Sequence, residues 1–301
     1  MHGLLLHNDE IVDTRQPRLS PGQVGLMNGW GVFSTFRVAD GALFAFPRHW
    51  ARLQKDARKM HVPFPESPEW MHSRLARLVK ANRANNATLR VAVVRNRGGL
   101  FESPDQSRDF DLIAFTADIA AWPPGVRLGI KPQARHAECE FAGVKFLSWS
   151  QNLTWYEEAH QRGLDEYVLL NERGEIAECT SANVFAVYGS PGAGFEVWTP
   201  PLSAGCLAGI TRAILLEEIR VPGITIGEKT LRPADLARAD QVFITSSTRD
   251  LLTVVHIDGL TLKTTGQVVD TLQHAFVEFR QADLAREAGR EADRPVAVGS
   301  F

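Results

Sequence analysis

The stretch Val144-Lys145-Phe146-Leu147-Ser148 places one lysine between apolar residues, and a run with helical spacing follows from Asn152 to Gly163. The apolar neighbours predict a buried Lys145, although a lysine at the start of a helix can also extend its amine into water. Burial disfavours the charged form of a lysine. It would therefore lower the pKa of Lys145 and leave a neutral amine, which is the form that attacks carbonyl groups.

A carboxylate and two anion-binding turns follow this lysine along the chain. Glu178 ends a predicted strand before Cys179-Thr180, although an exposed strand carboxylate is the alternative interpretation. Gly209-Ile210-Thr211-Arg212 opens a predicted helix, where free backbone N–H groups favour an anion. Thr245-Ser246-Ser247-Thr248 closes a predicted strand with hydroxyl groups. A buried amine, a carboxylate and two such turns suit an aldehyde cofactor that carries a phosphate and a basic ring nitrogen.

In this order, the motifs resemble those of the class IV (fold type IV) pyridoxal-phosphate aminotransferases. That family includes branched-chain aminotransferases, D-amino-acid aminotransferases and aminodeoxychorismate lyases. The resemblance extends from Gly25 to about Gly259. It implies pyridoxal 5'-phosphate (PLP) as the cofactor and Lys145 as the residue that forms the Schiff base and then moves the Cα proton. It also implies that Glu178 bonds to the pyridine nitrogen and keeps it protonated.

The resemblance also implies a phosphate site that is assembled from separate parts of the chain. Arg52, in His49-Trp50-Ala51-Arg52-Leu53, matches the family arginine that pairs with the phosphate. The nearby Arg48 and Arg58 leave an ordinary exposed helix arginine as the alternative. The other implied phosphate contacts are Gly209, Ile210, Thr211, Ser246 and Ser247.

The candidate substrate contacts come from the segment that begins Gly29-Trp30-Gly31, which resembles the strand facing the family's pocket, and from two later segments. Relatives often carry a glutamate where this chain has Ser34. The tyrosine that branched-chain enzymes place five residues after the lysine is replaced here by Ser150. The candidate substrate residues are Phe33, Arg37, Arg95, Arg97 and Thr248, although an aromatic strand residue such as Phe33 also suits a plain core.

Turn signals dominate the pattern of predicted strands and predict an α+β fold with hairpin-rich sheets and flanking helices, not a doubly wound parallel sheet. Hairpin turns are expected at Asn8-Asp9, Asp40-Gly41, Arg173-Gly174 and Asp258-Gly259. The Pro-Pro pair in residues 120–125 predicts a stiff linker. It divides a small N-terminal domain, residues 1–119, from a large C-terminal domain, residues 126–301, that carries Lys145.

The composition indicates an ordinary globular protein, with 44% hydrophobic and 23% charged residues among 301. A net charge of -2 gives no reason to expect nucleic acid or an anionic membrane as a partner. The 9 histidines do not cluster at the spacing of a metal site, so no metal is expected. The 3 widely spaced cysteines favour a reducing cytoplasm over a disulfide framework.

These observations predict a cytoplasmic, homodimeric PLP transaminase, the dimer being implied by the family resemblance. It would exchange an amino group between a branched-chain-like or D-amino acid and a 2-oxo acid through the Lys145 Schiff base. One alternative is an aminodeoxychorismate lyase, which eliminates pyruvate to give 4-aminobenzoate. A second alternative is a non-catalytic protein that keeps the fold, against which an intact Lys145 and Glu178 argue.

Overall fold

The computed structural model describes residues 1–16, 19, 22–99, 107–190, 192–262 and 266–292. Within these residues the first sheet has six strands: β1 (Leu4–His7), β2 (Glu10–Asp13), β3 (Gly31–Ala39), β4 (Ala42–Leu43), β5 (Ala87–Arg95) and β6 (Phe110–Ala117). In space they run β2-β1-β6-β5-β3-β4, and each strand is antiparallel to its neighbours. The hairpins predicted at Asn8-Asp9 and Asp40-Gly41 are confirmed. Residues 100–106, between β5 and β6, lie outside the described residues.

The second sheet of the described chain has eight strands: β7 (Val126–Arg135), β8 (Glu166–Asn171), β9 (Ile176–Cys179), β10 (Asn183–Ser190), β11 (Gly194–Thr199), β12 (Ile224–Glu228), β13 (Gln241–Ser246) and β14 (Asp250–Ile257). Their order is β12-β11-β10-β13-β14-β7-β8-β9. The predicted hairpin at Arg173-Gly174 joins β8 to β9. Three pairs are parallel, namely β11–β12, β14–β7 and β7–β8. The sheet is therefore mixed, which the turn signals did not indicate.

A short hairpin turn is present at Asp258-Gly259, as predicted, because the flanking residues Ile257 and Leu260 form an isolated antiparallel bridge. Leu260 N donates to Ile257 O at 3.0 Å, and in the described residues no strand follows this turn. The strands beside β14 are β13, which precedes it, and β7, from a distant part of the sequence. A turn signal reports local backbone conformation, so it could not show which strand lies beside β14.

Helices cover the two sheets. In the described residues they are α1 (Val24–Asn28), α2 (Phe46–Lys59), α3 (Pro68–Ala81), α4 (Ser150–Gln161), α5 (Ile210–Glu217), α6 (Pro233–Arg238) and α7 (Val268–Ala292). Ser67 caps α3, because its side chain accepts a hydrogen bond from Trp70 N at 3.1 Å. No helix in this part of the chain is both long enough and apolar enough to span a membrane.

Successive side chains of β3 point alternately to the first hydrophobic core and to a cavity on the opposite face of the sheet. Val32 and Phe36 are buried in the core that β3 shares with α2 and α3. Phe33 and Thr35 point to the opposite face and line a cavity. β3 therefore both completes the first core and presents side chains to the site.

The two halves of the chain share an apolar cluster. Phe44 directly follows β4, and its ring centroid lies 5.9 Å from that of Phe276 in α7, in an edge-to-face contact. Residues 118–125, which include the predicted linker, form no helix or strand. The division into domains at residues 119 and 126 stays a prediction.

Candidate active site

A cavity of about 410 Å³ lies where side chains of both sheets meet. All eight residues that were predicted to bind the cofactor line it: Arg52, Lys145, Glu178, Gly209, Ile210, Thr211, Ser246 and Ser247. They come from α2, from the segment before α4, from β9 and from the turns around α5 and β13. Residues that are far apart in sequence therefore converge on one site.

The backbone of the Lys145 segment pairs with β3 of the first sheet. Phe33 N donates to Lys145 O at 3.0 Å, and Leu147 N donates to Gly31 O at 2.8 Å. A Cβ on Gly31 would lie 2.6 Å from the backbone oxygen of Val93 in the neighbouring strand, so glycine is required at this point of β3. The lysine follows the predicted linker in sequence, but its backbone is held by the N-terminal sheet.

Two aromatic rings lie beside the amine of Lys145, a residue that is half-buried and not fully buried as the sequence predicted. Its Nζ lies 4.5 Å from the ring centroid of Phe33 and 5.7 Å from that of Trp149. Burial lowers the pKa of Lys145 to about 7, and the cations Arg52 and Arg90 act in the same direction. Glu178 and Asp56 oppose this shift. The amine is therefore about half neutral near pH 7, so it can act as both nucleophile and base.

Glu178 lies one residue before the end of β9, and its carboxylate is 13% exposed. Oε1 accepts a hydrogen bond from Arg135 Nε at 2.9 Å, and Oε2 accepts one from Leu207 N at 3.0 Å. A carboxylate has about four acceptor positions, so these two bonds leave capacity for a further donor. The arrangement can hold the protonated nitrogen of a pyridine ring.

Arg135 also lines the cavity and was not predicted from the sequence. It reaches the site because β7 changes register between Lys131 and Arg135. A lone arginine near the end of a predicted strand carries no signal of such a shift, so the sequence offered no means of finding it.

The structure provides a cradle of donors that fits a phosphate. Arg52 Nη1 donates to Ala208 O at 3.2 Å, which brings the guanidinium to the start of α5. Arg52 Nε and Ser246 Oγ are buried polar atoms that have no hydrogen-bond partner in the described structure. The first amides of α5 have no acceptor within the helix, and its N-cap, Gly209, provides no side-chain cap. Such a set of donors and amides is suited to a phosphate.

Gly209 is required by close packing at this helix start. A Cβ at this position would lie 2.0 Å from Asn183 Oδ1. Asn183 Nδ2 in turn donates to Leu207 O at 3.0 Å, which fixes the turn that leads into α5. The amides of Ile210 and Thr211 are thereby held in place toward the cavity.

A buried serine and histidine fix the orientation of Arg52. Arg52 Nη2 donates to Ser34 Oγ at 2.9 Å, and Ser34 Oγ lies 2.7 Å from His49 Nδ1. Burial, together with the cations Arg52 and Lys145, lowers the pKa of His49 well below its usual value. A neutral Nδ1 can therefore accept a hydrogen bond from the Ser34 hydroxyl, while the serine oxygen accepts one from Arg52. This chain thus orients the arginine without placing a carboxylate at position 34.

The candidate substrate residues fall into two groups. Phe33 and Thr248 line the cavity, whereas Arg37, Arg95 and Arg97 do not. Arg95 donates to His61 O and lies over the Trp30 ring, 4.1 Å from its centroid. Arg97 pairs with Asp109, and Arg37 Nη2 donates to Asn86 Oδ1 at 3.4 Å. A substrate role for these three arginines stays a prediction.

Arg90, which the sequence analysis did not select, is an arginine that does line the cavity. It lies opposite Thr35 in the β3–β5 register, and its Cζ is 3.9 Å from the Phe33 ring centroid. Burial lowers its pKa, and no salt bridge to it occurs among the described residues. One signal was available in the sequence, namely a single charge inside the apolar run from Leu89 to Val94.

Ser150, which replaces the family tyrosine, begins α4 and does not line the cavity. Asn152 does line it, and it is tied to two neighbours of Glu178. Its Nδ2 donates to Thr180 O at 2.6 Å, and its Oδ1 accepts from Arg135 Nη2 at 3.4 Å.

Known proteins share both the sequence pattern and the fold. The sequence model of the family described as Amino-transferase class IV matches residues 31–257. The D-alanine aminotransferase of Listeria innocua is 28% identical over 289 residues, which cover 91% of this chain and 95% of the relative. The branched-chain-amino-acid aminotransferase of Salmonella typhimurium is 25% identical over 291 residues, which cover 89% and 90%.

A solved structure supports the same conclusion at the level of the fold. It is a hypothetical aminotransferase from Mycobacterium tuberculosis in its PLP-bound form, with a TM-score of 0.80 and 23% identity. The match covers 93% of this chain and 99% of that one. The cavity described above has the groups that PLP requires, namely an amine, a carboxylate for the ring nitrogen and donors for the phosphate. Since the family match also spans most of the sequence, this chain belongs to the class IV aminotransferases, which are enzymes that use PLP.

Proposed function

We propose that this enzyme transfers an amino group between an amino acid with an apolar side chain, of the branched-chain or D-alanine type, and a 2-oxo acid. The observation that carries the proposal is the placement of a lysine amine of pKa about 7 in one cavity with Arg90 and Glu178. The residues that line the cavity include the apolar side chains Phe33, Phe141 and Trp149, which suit an apolar substrate side chain.

Each residue has a distinct task in this proposal. When bound, PLP withdraws electrons from the substrate Cα and so makes its proton removable. The Lys145 amine would accept the Cα proton and hold it for return, a task that requires a pKa near the working pH. Glu178 accepts a hydrogen bond from the ring nitrogen, and its negative charge keeps that nitrogen protonated. Arg52, Ser246 and the start of α5 hold the phosphate.

Arg90 is the proposed contact for a substrate carboxylate. Its Cζ lies 3.9 Å from the ring centroid of Phe33, and Lys145 Nζ lies 4.5 Å from the same centroid. A carboxylate bound to Arg90 would therefore lie close to the lysine that moves the Cα proton. The planar guanidinium can hold a carboxylate through two parallel hydrogen bonds, which fixes orientation as well as affinity.

A half-reaction with single amino acids tests the proposed function. PLP-loaded enzyme without a 2-oxo acid should convert about one equivalent of a suitable donor to its 2-oxo acid, with a change in cofactor absorbance. L-leucine, L-valine, L-isoleucine, D-alanine and L-glutamate are compared one at a time. Failure of all donors, together with pyruvate release from aminodeoxychorismate, would contradict the transaminase and identify the lyase.

Substituting Arg90→Met should raise KM for the amino donor by about 10- to 100-fold, since a charge-assisted bidentate bond is lost. PLP affinity should change little, because Arg90 has no place in the phosphate cradle. Steady-state kinetics and PLP titration measure the two effects separately. Arg97→Met is the matched control, since Arg97 lies outside the cavity lining. A larger rise in KM for Arg97→Met than for Arg90→Met would reverse the assignment.

A homodimer and a cytoplasmic location are further parts of the proposal. Leu26 and Met27 of α1 are 43% and 70% exposed, and they are apolar side chains that a second subunit could cover. α1 leads directly to Gly29, whose carbonyl accepts a hydrogen bond from Ser148 Oγ at 3.2 Å, close to the site. The expected result of light scattering on the purified enzyme is twice the mass of one chain.

A further inference from the structure

Asp56 is a buried carboxylate next to the lysine and has no task in the function proposed above. It lies in α2, one turn beyond Arg52, and is 4% exposed. Its Oδ2 accepts a hydrogen bond from the backbone N–H of Lys145 at 3.2 Å. A buried carboxylate is costly unless it is paired or bonded, so its presence here requires an explanation.

Two elements of the N-terminal half hold the Lys145 backbone. Asp56 of α2 accepts from the lysine N–H, and Phe33 of β3 donates to the lysine C=O. α2, which supplies Arg52 to the phosphate cradle, therefore also holds the backbone of Lys145, from which the lysine side chain extends. A displacement of α2 would move both groups together.

The distribution of charge around the amine gives Asp56 a second task. Arg52 and Arg90 disfavour the protonated amine, while Glu178 and Asp56 favour it. Glu178 is already paired with Arg135. Asp56 makes no salt bridge among the described residues.

We propose that Asp56 is a positioning residue for Lys145, which it holds by the backbone N–H while its ionised carboxylate offsets the surrounding arginines. The charged groups that face Asp56 are Arg52, Lys55 and Lys145, and all three favour its ionised form. Burial acts in the opposite direction and raises the pKa of this carboxyl. The proposal rests on the proposed role of Lys145, but it does not depend on which amino acid is the donor.

The test measures how fast apoenzyme captures PLP on Lys145 at different pH values, with borohydride trapping and mass spectrometry of the labelled peptide. Wild-type capture should rise with pH through a midpoint of about 7, since the neutral amine reacts. Asp56→Asn keeps an acceptor for the N–H but removes the charge. Its midpoint should fall by on the order of one pH unit, because the loss of a nearby negative charge disfavours the ammonium form.

Asp56→Ala separates the two tasks. It should show the same lower midpoint, together with slower capture at high pH, because the lysine backbone is no longer held. Thermal unfolding of each variant detects any general loss of structure. An unchanged midpoint in Asp56→Asn would show that the carboxylate carries no charge in the wild type and would overturn the electrostatic task. Equal plateau rates for the Asn and Ala variants would overturn the positioning task.

The same experiment keeps the proposed function separate from this inference. Wild-type enzyme that captures PLP on Lys145 but reacts with no amino donor would contradict the transaminase and leave the Asp56 comparison informative. Wild-type enzyme that transaminates while its Asp56 variants titrate unchanged would overturn the inference alone. A chain in which Lys145 captures no PLP would overturn both.

Discussion

Replacing Lys145 by alanine should abolish transamination and the covalent attachment of PLP. The amine has two roles, since it bonds to the cofactor and then moves the Cα proton. Loss of a positioned proton-transfer group alone lowers rates by up to about 10⁴-fold. Turnover, borohydride trapping of PLP and the cofactor absorbance spectrum measure these effects. Normal turnover in Lys145→Ala would exclude the mechanism altogether.

A matched control for this variant is Lys131→Ala. Lys131 lies on β7, where it forms a salt bridge with Glu158 at 2.7 Å, and it does not line the cavity. Its removal should leave both turnover and PLP attachment unchanged. If both lysine variants lost activity together, a general defect in folding would be the cause, and the specific role of Lys145 would be unsupported.

The stability of Lys145→Ala should not fall at neutral pH. The pKa of Lys145 is lowered from 10.5 to about 7 in the folded chain. Between these pH values the unfolded chain binds more protons, so this lysine makes stability rise with pH from about 7 to 10.5. Below pH 7 its destabilising effect is fully present. Removal of the amine relieves that effect, and thermal unfolding at pH 7 checks the expectation.

The parts of the site that the sequence predicted depend on local signals. Lys145 lies between apolar residues, Glu178 ends a strand, and Gly209 precedes a helix; each of these features spans only a few residues. The hairpin at Asp40-Gly41 belongs to the same class, because the residues that form a turn lie next to the strands that it joins. Their order along the chain then sufficed to indicate the family.

The parts that the sequence did not predict depend on register and on contacts between distant segments. Arg90 reaches the cavity because β5 pairs with β3 so that residue 90 lies opposite Thr35. A shift of one residue would turn this arginine to the other face. The candidates Arg95 and Arg97 are farther along the same chain segment, where the strand ends, and they lie outside the cavity lining. Asp56 likewise depends on how α2 packs against the Lys145 segment.

Replacing Glu178 by glutamine should lower turnover by about 10²- to 10³-fold while PLP remains attached to Lys145. Glutamine can still bond to the ring nitrogen, but it carries no charge to keep that nitrogen protonated. The Arg135 guanidinium would further disfavour a protonated ring nitrogen. Its Nε donates to Glu178 Oε1 at 2.9 Å in the wild type, and in the variant no carboxylate would neutralise its charge. Single-turnover kinetics with a reactive amino acid measure the loss in the chemical step.

A second substitution separates the charge of Glu178 from its structural contacts. Arg135→Gln in the Glu178→Gln background removes the unpaired cation, so any part of the defect that comes from Arg135 should be recovered. The part that comes from the missing negative charge should persist, since neither amide can hold the ring proton electrostatically. If the double variant regained wild-type turnover, Glu178 would matter only as the partner of Arg135. If it remained about 10²-fold slow or slower, the carboxylate itself lowers the barrier, as the proposed proton transfer by Lys145 requires.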